Sequence, residues 1–393
     1  MVAAVRKILI LLVVLIAVLI AIGALLVFTV PSRNADVHAL IAQVPSSAEA
    51  FAIIPEAAAF DAKLQANPVT RSAIAKWSAS HPLPSPWMIG NANLVAWRSS
   101  DQIHYLVRTD TFRAFLIRMF GSKVQINVTG EPPMDSAAAS QIIALASRLP
   151  AGDALVVQRE EARGAYPPIG RPAVTSIQVT ESEIAMTSVA AGVPPAAGPA
   201  RAPAPAHRFP RSAILSAAFR QPPRVINDLN RIFGGRVSSL FDDGGMVCIY
   251  NVDTRKLIPR PLGVIVLPDD PARRAIVDSF RKAEAIGIRA RTAEVSGNIA
   301  LAFDDSIDQY QKDAFDDAPA ANQWAMRIDP QRLVPILNDL GQNVGLRIVA
   351  PRLFRSARDL EQWIGGLEQA KTIDATDSAD SQWETLHVRI AAK

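Results

Sequence analysis

The chain has 393 residues, a formal net charge of +4, one cysteine, and a hydrophobic fraction of 49%. A single cysteine excludes an internal disulfide, so the fold must be held by packing. With 41 basic against 37 acidic residues, the dense basic face that nucleic acid requires is missing, and no nucleic-acid partner is expected.

Arg6 and Lys7 precede an uncharged apolar run, Ile8–Val30. Its 23 residues span about 35 Å as a helix, enough to cross a hydrocarbon core of about 30 Å. A cleaved signal peptide has a shorter core, about 7–15 residues, and a small-x-small cleavage site. Here Arg33 stands in Pro31-Ser32-Arg33-Asn34-Ala35 where a small residue is needed. Residues 1–36 therefore read as a cytoplasmic stub and transmembrane signal anchor, with the lipid bilayer as a partner. Arg6, Lys7 and the α-amino group outweigh Arg33, which has Asp36 close by. The positive-inside bias then predicts a single-pass protein whose N-terminus is cytoplasmic and whose body, Val37–Lys393, is periplasmic or extracellular.

Residues 37–191 read as a first α+β unit. AFAIIPEAAAFDAKL, from Ala50, is a strand running into a helix. Leu94–Trp97 and Ile103–Val107 flank the polar turn RSSDQ. Asp110 caps a helix with Phe112, Phe115, Leu116 and Met119 on one face and Gly121 at its end. A further helix, Ala137–Leu149, leads to the strand Ala154–Val157 and then to the hairpin SIQVTESEIAMTSV. Residues 192–210, GVPPAAGPARAPAPAHRFP, are dense in Pro and Ala and predict an extended linker or a long exposed loop.

A second α+β unit is expected over 211–320. It opens with ILSAAFRQPPRVINDL, pairs Met246–Tyr250 with Leu262–Leu267, and starts a helix at Asp270-Pro271 that carries Ile276, Val277, Phe280 and Ala283 and stops at Gly287. The hairpin RTAEVSGNIALAFD and an acidic helix close it. A shorter third unit, 321–393, repeats strand, helix and hairpin from WAMRIDPQRLVPILNDL to TIDATDSADSQWETLHVRI, where Leu386, Val388 and Ile390 alternate with polar residues. Alternation of this kind predicts a sheet with one buried face. The expected architecture is α+β: an N-terminal transmembrane helix, then tandem related units of mostly antiparallel sheet with helices packed on one face.

The anchor followed directly by ALIAQVPSSAEAFAIIPEAAAF (Ala39–Phe60), together with the later hairpins, resembles a family of bacterial signal-anchored extracytoplasmic proteins of unknown function. Those proteins are built from repeated strand-helix-hairpin units. The resemblance implies a cell-envelope setting and carries no catalytic residue.

No sequence motif of a hydrolase, zinc protease, dinucleotide site or P-loop occurs. The histidines, His38, His81, His104, His207 and His387, have no second ligand at metal-binding spacing. A penicillin-recognising pattern can be traced through Ser279-x-x-Lys282, Ser296-Gly297-Asn298 and Lys371-Thr372, but Ile373 stands where that pattern needs glycine. Asp242-Asp243-Gly244-Gly245 reads as a tight turn rather than a cation loop. Cys248, inside the apolar run MVCIY, reads as a buried inert thiol. No catalytic, cofactor or metal residue is assigned. The candidate contact surface is the rigid segment with His81 and Trp87. These features favour a non-enzymatic binding or scaffold protein of the envelope with an envelope protein partner. The alternatives are an envelope hydrolase whose site forms only in the fold, and a lipid or lipoprotein carrier.

Overall fold

The computed structural model describes residues 37–80, 93–99, 102–108, 133–159, 172–191, 208–219, 244–256, 259–282, 291–302, 304–319, 323–343, 366–379 and 382–393. The run Ile8–Val30, the pair His81 and Trp87, the helix expected after Asp110, residues 192–207 of the expected linker, and Asp242-Asp243 lie outside them. Among the described residues no helix is long and apolar enough to cross a membrane. The described residues form an α+β protein dominated by antiparallel sheet. They divide into two compact units, one drawn from Met1–Leu64 and Pro82–Gln178, the other from Gln65–His81 and Val179–Lys393.

In the first unit the strands are β1 (Ala50–Ile54), β2 (Asn93–Ser99), β3 (Gln102–Arg108), β4 (Ala154–Gln158) and β5 (Ala173–Val179). Their order across the sheet is β5-β4-β1-β2-β3. The register places Phe51 opposite Trp97 and Val157, and Ile53 opposite Val95, so one face gathers the large apolar side chains. Alternate residues of a strand point to opposite faces, which is how the five-residue string AFAII carries both sets. A short helix, α1 (Val37–Ile41), touches both β1 and a longer helix, α4 (Ser136–Ala146). Leu40, Ile41, Ile142 and Leu145 are buried there.

Two helices follow β1: α2 (Ala57–Ala66) and α3 (Pro68–Ser80). Asn67 breaks between them and caps α3. Its Oδ1 accepts from Val69 N at 2.9 Å and Thr70 N at 3.2 Å, and its Nδ2 donates to Thr180 O at 2.8 Å. Pro68 at the first helical position needs no acceptor. Although α3 lies inside the stretch 37–191, its contacts are with the second unit: a Cβ at Gly366 would come within 2.9 Å of Val69 O.

The second unit has the strand order β11-β12-β10-β9-β8-β14-β15-β16-β6. In chain order these are β6 (Glu183–Ala191), β8 (Leu215–Phe219), β9 (Gly245–Asp253), β10 (Arg260–Pro268), β11 (Arg291–Val295), β12 (Asn298–Ala302), β14 (Trp324–Ile328), β15 (Ala370–Ala379) and β16 (Trp383–Ala392). The helices are α5 (Pro271–Lys282), α6 (Ser306–Lys312) and α7 (Pro330–Gln342). As expected, Asp270 caps α5 through Arg273 N at 2.9 Å. Asp329 caps α7 through Gln331 N at 3.0 Å and Arg332 N. β6, also inside 37–191, pairs with β16 along its whole length. β8 and β14, the two strands that open the second and third predicted units, lie side by side in this sheet.

Two expectations need correction. The expected linker does not run to Pro210. Arg208–Pro210 is a strand, β7, paired with β13 (Phe315–Asp317), and Phe209 is only 1% exposed. The sheet residues of this core include Met246, Tyr250, Val264 and Val266 and, between them, the small Ala218, Cys248, Ala300 and Ala302. These small side chains leave room for the rings of Phe209 and Tyr310 to complete the core. Nor are the helices confined to one face. At β12, Ala300 and Ala302 pack with Ile307 and Tyr310 of α6, while Ile299 and Leu301 pack with Val277 of α5. Because neighbouring residues of a strand face opposite ways, α5 and α6 cover opposite sides of it.

Candidate functional site

Of two clefts among the described residues, the one with more uncommitted polar chemistry lies in the first unit. It has a volume of about 420 Å³ and is bordered by Ser46, Glu49, Gln141 and Arg159 over a floor that includes Ala48 and Ile142. The turn before β1 supplies the serine and Glu49, one face of α4 supplies Gln141 and Ile142, and the end of β4 supplies Arg159. The backbone joins these pieces: Arg159 N donates to Glu49 O at 3.0 Å and Glu49 N donates to Arg98 O at 2.9 Å. Arg159 Nη1 donates to Ser46 O at 2.8 Å and to Ala48 O at 3.3 Å. The Glu49 carboxylate pairs with Arg98 Nε at 3.2 Å, an ion pair without hydrogen-bond geometry.

A second cleft, about 350 Å³, lies in the other unit beside α5 and β11. Its cation, Arg274, is already committed to Asp269 and lies 3.6 Å from Glu294. Asp269 sits below its ordinary value because Arg274 hydrogen-bonds to it. That cleft offers a neutralised rim.

The titratable groups pushed furthest from their usual ranges are buried in the second unit. Burial drives the Cys248 thiol up to about 12, and the neighbouring Ser216 hydroxyl offsets this only in part. The thiol is therefore protonated and inert, as the apolar run around it predicts. Burial likewise raises Tyr250 and Tyr310. Asp377 on β15 is 7% exposed. Its Oδ1 has no hydrogen-bond partner. Burial first, and the Glu384 charge second, raise its pKa to about 6, against smaller opposing effects of Trp324 and the Ser378 backbone.

The histidines that would have revived a catalytic reading do not meet carboxylates among the described residues. His104 stacks on Trp97 with ring centroids 5.4 Å apart. His387 Nδ1 lies 3.1 Å from the Thr187 hydroxyl. No group of three His, Cys, Asp or Glu side chains among the described residues is placed to hold a metal. The penicillin-recognising pattern fails on geometry. Ser296 and Gly297, at φ 51° and 74°, are the two-residue turn of the β11–β12 hairpin. Lys371 lies on β15, five strand steps from β12, which is about 24 Å at about 4.8 Å per strand. Gly244, at φ 86°, takes the left-handed conformation that a turn before β9 requires.

Sequence reading missed both Arg159 and Asp377. The signal for Asp377 was present: it alternates in phase with Ile373 and Ala375, which marks it as inward-facing. Arg159 carried no signal, because its partners are carbonyls more than a hundred residues away in sequence. No family model, curated protein or solved structure matches the chain.

Proposed function

We propose that the protein is a single-pass, membrane-anchored component of the bacterial cell envelope that acts by binding or scaffolding rather than by catalysis. The observation that carries this reading is the uncharged run Ile8–Val30 behind Arg6 and Lys7, long enough to span a bilayer and biased to leave the body outside the cytoplasm. The body fits such a setting. It is stabilised by sheet packing, its one thiol is buried, and it needs no disulfide.

The same proposal includes tandem relatedness of the units and membership of the anchored, repeat-built envelope family. It is supported by strand order: β3-β2-β1-β4-β5 in the first unit parallels β10-β9-β8-β14-β15 in the second. In each, the opening strand sits centrally between the first strand of the hairpin that follows it and a strand that returns much later. His81 and Trp87 are the proposed contact surface for an envelope protein partner.

Protease added to intact spheroplasts tests the anchoring. The body should be digested while cytoplasmic markers survive, and full protection overturns the reading. Crosslinking in native membranes tests the partner. Trp87→Ala should lower the yield of a stoichiometric adduct, and a monomeric, unlinked protein at native abundance counts against scaffolding.

A further inference from the structure

Arg159 is a cation with half of its hydrogen-bonding capacity set aside. A guanidinium has five N–H donors in a rigid plane. The two on Nη1 are used by Ser46 O at 2.8 Å and Ala48 O at 3.3 Å. The three on Nε and Nη2 have no partner among the described residues. The carbonyls pin the plane from one side, so the edge formed by Nε and Nη2 is fixed in orientation. Two parallel N–H groups on such an edge match the two oxygens of a carboxylate. The Glu49 carboxylate, which borders the same cleft, pairs instead with Arg98 on β2.

We propose that this cleft binds a small free carboxylic acid through the Nε–Nη2 edge of Arg159. The volume, about 420 Å³, is at the small end of the range for ligand sites, about 300–1,000 Å³. Among the described residues Arg159 is the one cation lining the cleft, with Glu49 beside it, which matches a monoanion; a phosphate dianion would need a second positive group. Apolar contact for a short chain comes from Ala138, half-buried on α4, above the buried Ala48 and Ile142. Among the described residues the Gln141 amide and the Ser46 hydroxyl make no hydrogen bond, and they favour an acid that also carries a hydroxyl. The site lies within one unit and does not depend on the membrane anchor or on an envelope partner, so it can fail while that reading stands.

Saturation-transfer NMR on the full chain in detergent micelles tests the proposal, with butyrate, 3-hydroxybutyrate and butyramide as probes. Transfer is expected to butyrate, more strongly to 3-hydroxybutyrate, and not to the neutral amide. Arg159→Gln should weaken acid binding about tenfold or more, the loss expected for a charge-assisted pair. Since Arg159 also ties down Ser46 and Ala48, Gln141→Trp provides a second variant. Gln141 is exposed on α4, and the indole should block the cleft without changing the melting temperature. Competition by a peptide with a free C-terminus, and not by its amide, would keep the site and assign the carboxylate to a chain end. Equal transfer to butyramide, no saturable transfer to either acid, or unchanged binding in both variants would overturn the proposal.

Discussion

Asp377→Asn should stabilise the protein at neutral pH, and should do so only there. In the folded chain the Asp377 carboxyl has a pKa of about 6, raised from an ordinary 3.8 chiefly by burial and then by the Glu384 charge. Between those values the folded state binds more protons than the unfolded state. Stability therefore rises as pH falls through about 6, and the cost of the charge is fully present above it. At about 1.4 kcal/mol per pH unit, the gap corresponds to at most about 3 kcal/mol. An amide keeps the shape and removes the charge, while its own burial takes back about 1 kcal/mol. The expected gain is thus about 1–2 kcal/mol at about pH 7.5, shrinking to nothing or reversing near pH 4. Urea unfolding of wild type and variant at both pH values, followed by far-UV circular dichroism, measures the difference. A variant no more stable than wild type at neutral pH, or one with the wild-type pH slope between about 4 and 6.5, would refute the reasoning.

Phe209→Ala should cost about 3–4 kcal/mol, as for other fully buried aromatic truncations, since the ring is 1% exposed in the core; a loss under about 1 kcal/mol would mean that it lies on a free linker. Gly263→Ala should be severe, at least about 2 kcal/mol in urea unfolding, because the new Cβ would stand 2.2 Å from Cys248 O at the register shift of the β9–β10 pair. Arg389→Ala should be mild, within about 1 kcal/mol, although Arg389 makes two bonds to Glu183 at 2.9 and 2.7 Å; its side chain is 69% exposed. The Cys248 thiol should resist a disulfide reagent at about pH 8 in the native chain and react once in concentrated guanidinium; rapid native reaction would contradict its burial.

What could be read from the sequence was mostly what short-range chemistry decides. Strand strings with β-branched and aromatic residues led to β1, β2, β4, β9, β10 and the hairpins at near their observed bounds. Asp270-Pro271 marked the start of α5 because a cap and a proline at the first helical position act within one turn. The β7–β13 ribbon was not legible. Three residues carry no periodicity, and Phe209 belongs to the core because of side chains spread from Ala213 to Ala325. The Arg159 cleft was hidden for the same reason: a turn, a helix and a strand end create it together, and none of them shows it alone.

The failure of the one-faced sheet has a cause in residue size. Alternation of apolar with polar residues signals a sheet with a wet side. On β12 the alternation is instead between large and small: Ile299 and Leu301 face α5, and Ala300 and Ala302 face α6. Both sets are apolar, so the strand is buried on both sides. The small residues on one side set how near the covering layer can approach. Ser216 and Ala218 on β8 and Cys248 on β9 continue that small-residue surface, with the register pairing Ser216 to Cys248 and Ala218 to Met246. Bulk then comes from Met246, Tyr250, Val264 and Val266 of the sheet and, in the covering layer, from Phe209, Ile307, Tyr310 and Phe315. Tyr310 and Phe315 meet edge to face with centroids 5.2 Å apart, a favoured aromatic geometry. Large side chains of the covering layer seated where the sheet is lined by small ones help to fill one core at normal density. That division of volume is why alanine and serine in these strands are packing residues rather than surface ones.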